Sequence, residues 1–121
     1  MFVVHRIGVE SSLTVAILPE SSKVLSVGLG GAGLPSLWYS VEGVQPESFQ
    51  LVVVDNIPTG QMGCDCPRQF LGTVNVNGKV SHLFRRTQLP TISLEKAEAM
   101  KEMTPAQFLD ELAAMATAVE A

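Results

Sequence analysis

The stretch that decides the fold runs from residue 74 to residue 103. It begins Val74-Asn75-Val76-Asn77-Gly78-Lys79-Val80-Ser81-His82-Leu83-Phe84-Arg85-Arg86, passes through Thr87-Gln88-Leu89-Pro90-Thr91-Ile92-Ser93, and continues Leu94-Glu95-Lys96-Ala97-Glu98-Ala99-Met100-Lys101-Glu102-Met103. Its first part carries β-branched and aromatic residues around Asn77-Gly78, a pair that tolerates the positive φ angles of a two-residue hairpin turn. Its last part exchanges those residues for Ala, Glu, Lys, Met and Leu, which are strong helix formers. The expectation is a strand-built body ending near Arg86 and a helical tail from about Ser93.

Working back toward the N-terminus, short apolar runs separated by turn residues predict strands over 2–9, 13–18, 23–29, 36–41, 49–55, 70–76 and 79–86. Pro19, Pro35 and Pro46 fall at breaks, where a missing N–H costs no ladder bond. Working forward, Leu94, Ala97, Met100 and Met103 form one stripe. Thr104-Pro105-Ala106-Gln107 then reads as a second helix start, with Thr as N-cap and Gln closing a capping box. Phe108, Leu109, Leu112, Met115, Ala116 and Val119 line one side of the helix that this start would open. The predicted fold class is α+β: an antiparallel β-sheet domain of six or seven strands over 1–90, then an amphipathic extension of one or two helices over 91–121. The apolar stripe must cover something, either its own sheet or a second subunit. On the second reading Leu94, Met100, Met103, Phe108, Leu112, Met115 and Val119 would form an oligomer interface.

A chain of 121 residues is one domain's worth, and 17% charged residues is low for a globular surface, which points to a homo-oligomer or a covering partner. The net charge of −4 arises wholly after residue 86, because six cations and six anions balance over residues 1–86. A neutral body with an acidic tail lacks the basic surface that phosphate-backbone binding needs, so no direct nucleic-acid binding is expected. No apolar run approaches bilayer length and no basic segment precedes the first one. A cytoplasmic, membrane-free protein with reduced cysteines is expected.

Three motifs invite chemistry. Gly28-Leu29-Gly30-Gly31-Ala32-Gly33 matches a dinucleotide fingerprint by letter, but Leu34 to Tyr39 reads as a strand where a phosphate-binding helix is needed. A glycine hairpin is the expected structure. Cys64-Asp65-Cys66 with His5 and His82 has the arithmetic of a zinc site, yet one intervening residue is poor spacing for tetrahedral thiolates. No metal and no cofactor are expected. His5 and His82, in the first and last strands of the body, would be neighbours across a sheet. As an acid–base pair they compete with the simpler reading of partly buried imidazoles. No nucleophile has a recognisable context, so no catalytic residue is assigned. The long connection 56–68 and the arginines Arg68, Arg85 and Arg86 could instead hold an anion, unless those arginines pair with tail carboxylates such as Glu95 or Glu98.

The order His5-Arg6-Ile7, Leu18-Pro19, Lys23 to Gly28, Leu37-Trp38, Thr59-Gly60, Phe70 to Val74 and Val80 to Phe84 resembles a family of small, mostly phage-encoded domains of unknown function. That family opens on His-Arg-Ile and closes on a Trp-His-Val-Phe-like strand. The resemblance covers about residues 3–86. The chain departs from it at Ser81, at Gln61 and in the cysteine-bearing loop, and the tail lies outside it. The resemblance implies a phage or prophage origin, hence host takeover or counter-defence in an infected bacterium, and weakens the zinc reading. Taken with the arginines and loops, the expectation is a non-catalytic oligomer that sequesters a small anionic, nucleotide-like ligand, with His5, Arg6, Trp38, Arg68, His82, Arg85 and Arg86 as candidate ligand residues. The alternative is a protein–protein inhibitor of a host protein.

Overall fold

The computed structural model describes residues 1–9, 12–31, 33–43, 45–63, 65–104, 106–108, 110–111 and 113–114. Among the described residues, eight strands and a helix follow in order: β1 (Phe2–Gly8), β2 (Leu13–Pro19), β3 (Lys23–Leu29), β4 (Pro35–Glu42), β5 (Ser48–Pro58), β6 (Arg68–Val76), β7 (Lys79–Arg86), β8 (Ile92–Ser93) and α1 (Leu94–Lys101). The class is α+β, as the residue pattern implies, but the strands divide between two antiparallel sheets. One has the order β1-β4-β3; the other runs β2-β5-β7-β6, with β8 also paired to β5. His5 and His82 therefore lie in different sheets and are not cross-strand neighbours. Period-two alternation tells which face a residue takes, not which strand lies beside it.

β5 is the pivot. Its run Phe49-Gln50-Leu51-Val52-Val53-Val54 is buried on both faces, which is why apolar residues succeed one another there instead of alternating. Phe49, Leu51 and Val53 face a core completed by Ile92, Ala97, Met100 and Phe108. Val52 and Val54 face the other way, into a core with Val9, Leu18, Leu37, Val74 and Leu83. The layers are thus three-stranded sheet, five-stranded sheet, helix. Each fully buried aliphatic side chain stabilises by about 1.5–3 kcal/mol. The two sheets approach so closely where β3 crosses β6 that a Cβ on Gly72 would run into Val27 Cγ2.

The tail docks on its own sheet. Ser93 caps α1 by accepting from the Lys96 N–H at 3.2 Å, and the helix lays Ala97 and Met100 onto β5. The predicted capping box forms: the Thr104 N–H donates to Gln107 Oε1 at 3.0 Å, and the Gln107 N–H donates to Thr104 Oγ1 at 3.2 Å. Helical residues come next at 106–108, 110–111 and 113–114. Met100 and Phe108 are thereby buried within the chain, Met103 is half-buried against the same core and Leu94 is exposed. The subunit-interface reading is corrected for Met100 and Phe108, which this fold already uses. Leu112, Met115 and Val119 lie outside the described residues. Glu95, Glu98 and Glu102 face solvent, while Lys96 pairs with Glu111.

Both predicted turns form. Asn77 (φ 53°) and Gly78 (φ 88°) join β6 to β7, as the Asn-Gly pair requires. The glycine stretch joins β3 to β4 with Gly33 at φ 73°, and no helix comes after it. Two of its glycines instead serve packing on the open face of the three-stranded sheet. The Trp38 ring lies over Gly28, and the Arg6 guanidinium lies over Gly30 where a side chain would displace it.

Candidate functional site

The seven candidate ligand residues do not form one site. His5, Arg6 and Trp38 lie on the three-stranded sheet, where His5 stacks obliquely on Tyr39 with centroids 5.6 Å apart. Arg68, His82, Arg85 and Arg86 lie together on β6 and β7, the five-stranded sheet's other end. The alternation of β7 sends Arg85 and Arg86 to opposite faces. Both nonetheless line one cleft, while Arg68 and His82 line another of different chemistry.

The first cleft, of about 470 Å³, lies between residues 57–63 and β7, lined by Pro58, Gln61, Met62, Arg68, His82 and Phe84 among others. His82 is held on both sides: Nε2 lies 2.8 Å from Thr59 Oγ1, and Nδ1 lies 3.0 Å from Thr73 Oγ1. Both ring nitrogens are thus occupied by hydroxyls, the arrangement of a positioned imidazole and a poor one for proton transfer to a substrate. Arg68 lies over the Phe84 ring at 5.6 Å and reaches the Cys66 carbonyl at 3.4 Å. Cys66 is half-exposed, and Cys64 lies outside the described residues. Among the described residues no three His, Cys, Asp or Glu side chains converge as metal ligands.

The second cleft is a notch in the five-stranded sheet. β7 pairs with β5 along Val54 to Pro58, and β8 pairs with its far end at Ser48 and Phe49. Among the described residues the stretch between has no strand beside it on that edge. Because Asn56 bonds toward β2, the alternation of an antiparallel ladder turns the N–H and C=O of odd-numbered Leu51 toward the notch. A space of about 300 Å³ opens there, lined by Glu20, Gln50, Leu51, Gln69, Arg85, Arg86, Thr87, Leu89 and Thr91.

The two arginines of the notch differ in their partners. Arg86 grips Asp55 with both prongs, Nε to Oδ2 and Nη2 to Oδ1, each at 3.0 Å. This partner is a strand carboxylate of the body, not Glu95 or Glu98 of the tail. Arg85 makes no ion pair among the described residues. Its Nη2 donates to Gln50 Oε1 at 2.6 Å. Gln50 is itself fixed, its Nε2 donating to the carbonyls of Pro19, Glu20 and Ser22 at 3.1, 3.1 and 2.7 Å. Burial lowers the Arg85 pKa from its ordinary value, the mark of a cation deprived of water without a carboxylate to offset the loss. The guanidinium nevertheless stays charged at neutral pH. Glu20, which lines the same space, accepts a hydrogen bond from the Ser48 hydroxyl.

Sequence reasoning singled out Arg85 and Arg86 but missed Gln50, Gln69, Thr87 and Thr91. Gln50 carried a signal: it is the one polar residue in an otherwise apolar run, on a strand buried on both faces. Comparison of the chain with protein-family models, with curated proteins and with solved structures finds no match in any of the three.

Proposed function

We propose that the protein is a non-catalytic binder of a small anionic, nucleotide-like ligand, and that the notch beside Arg85 is where the anion sits. The observation that carries this reading is the half-buried Arg85 guanidinium, which is fixed by Gln50, lacks a carboxylate partner among the described residues and faces a space of about 300 Å³. A desolvated cation costs free energy that an incoming phosphate or carboxylate would offset, and guanidinium groups suit such oxyanions. The hydroxyls of Thr87 and Thr91 and the amide of Gln69 supply further donors. Glu20 opposes a bare anion but accepts from a ligand hydroxyl or amino group, which favours a phosphorylated molecule with donors of its own over inorganic phosphate.

With the phage resemblance, the physiological ligand class is a nucleotide signal of the infected cell, and sequestration would be a counter-defence act. Native mass spectrometry of protein purified without added ligand tests the reading. A co-purifying anionic mass, lost from Arg85→Gln, is expected; wild type carrying no mass and binding no nucleotide, cyclic nucleotide or ADP-ribose derivative would end it. A second reading, a protein–protein inhibitor, draws on exposed apolar side chains: Met62, which lines the first cleft, is 97% exposed, and Phe70, packed on the Phe84 ring, is 57% exposed.

A further inference from the structure

We infer that β1 is the strand through which two copies of this chain pair, antiparallel, about a two-fold axis centred on Val4. Among the described residues β1 is an edge strand, hydrogen-bonded to β4 alone. All its residues except Ile7 are exposed, and Phe2, Val3 and Val4 keep 63%, 55% and 48% of their surface in water. An apolar strand bare on both faces, with an open ladder edge, is a template for another strand.

The other edges carry protection that β1 lacks. β3 has a bulge between Val24 and Ser26 and opens on Lys23. β6 has a bulge between Phe70 and Gly72. β2 ends in Pro19 and none of its residues is exposed. β1 pairs with β4 over seven residues without a shift.

The hydrogen-bond phase suits pairing with a second copy, and the side chains favour one register. The Val9 N–H donates to Pro35 and the Met1 carbonyl accepts from Gly43, so odd-numbered residues of β1 bond toward β4. Phe2, Val4, Arg6 and Gly8 therefore turn their N–H and C=O groups to the open edge. A second copy centred on Val4 against Val4 sets Phe2 opposite the other copy's Arg6, twice, and closes about six main-chain hydrogen bonds. The aromatic ring then packs on the arginine stem and no like charges meet. A register centred on Arg6 would set guanidinium against guanidinium. The resulting sheet would be continuous through six strands, three from each copy.

Sedimentation velocity over a concentration series tests this with three variants. Val4→Pro removes an N–H that points away from β4, so the ladder to β4 survives while the edge is blocked; it should be folded and monomeric. Phe2→Arg faces Arg6 of the other copy and should raise the dissociation constant by roughly tenfold or more, whereas Phe2→Glu should keep the dimer. The inference is overturned by a wild-type monomer at about 100 µM, where a micromolar interface is saturated. A folded Val4→Pro dimer, or equal weakening by Phe2→Arg and Phe2→Glu, overturns it equally. Should Val4→Pro fail to fold, the two Phe2 variants decide alone.

Discussion

Met100→Ala separates a tail that completes its own core from one that waits for a second subunit. Met100 is 1% exposed and packs with Phe49, Leu51, Val53, Ile92, Ala97 and Phe108. Truncation to alanine removes the side chain beyond Cβ and leaves a cavity between helix and sheet, a change that costs about 2–5 kcal/mol in well-packed cores. The site lies under the short helix α1, which can settle toward the sheet, with half-buried Met103 beside it, so about 2–3 kcal/mol is expected. For a chain of this size that is a fall of roughly 10 °C in Tm, or about 1–2 M in the urea midpoint with an unchanged slope. Urea titrations at two protein concentrations about tenfold apart, in the Val4→Pro background, give the loss free of edge pairing. The same loss at both concentrations is the expected result. A loss under about 0.5 kcal/mol, or one that grows with dilution, would refute the docking of the tail on its own chain.

Two further predictions test the site and the sheet packing. Arg86→Met leaves the buried Asp55 carboxylate without its bidentate partner and should cost about 2–3 kcal/mol, while Asp55→Leu with Arg86→Met should recover most of it in chemical denaturation. Gly72→Ala drives a methyl into Val27 where the sheets cross, so it should destabilise by about 1–3 kcal/mol, and adding Val27→Ala should restore part of the loss; no loss would mean the sheets pack elsewhere.

The strands and the helix were legible because each carries local chemistry. β3 and β7 match the predicted spans, and Asn77-Gly78 and the Thr104–Gln107 box form as their residue types require. β5 runs on to Pro58 where the residue pattern ends at Asp55, since Asn56 and Pro58 are poor strand formers held there by β7. β8 was hidden because it is only Ile92 and the helix N-cap Ser93, too short to carry a period. The division into two sheets was illegible too, because alternation is silent about neighbours. It separated Arg6, His5 and Trp38 from Arg68, His82, Arg85 and Arg86. The notch was illegible for the same reason: it exists only because β7 and β8 divide one edge of β5.

The proposed function stands or falls on Arg85, and a thermal-shift panel of mononucleotides, cyclic nucleotides, ADP-ribose and inorganic phosphate, run on wild type and Arg85→Met, tests it most directly. A ligand at about a hundredfold its Kd contributes about 2.7 kcal/mol, which here is a rise of roughly 10 °C. Such a rise is expected for at least one nucleotide-like anion with wild type, a smaller one for inorganic phosphate, and none for Arg85→Met folded at the same temperature. A panel silent on wild type, or a rise that Arg85→Met keeps in full, would contradict it.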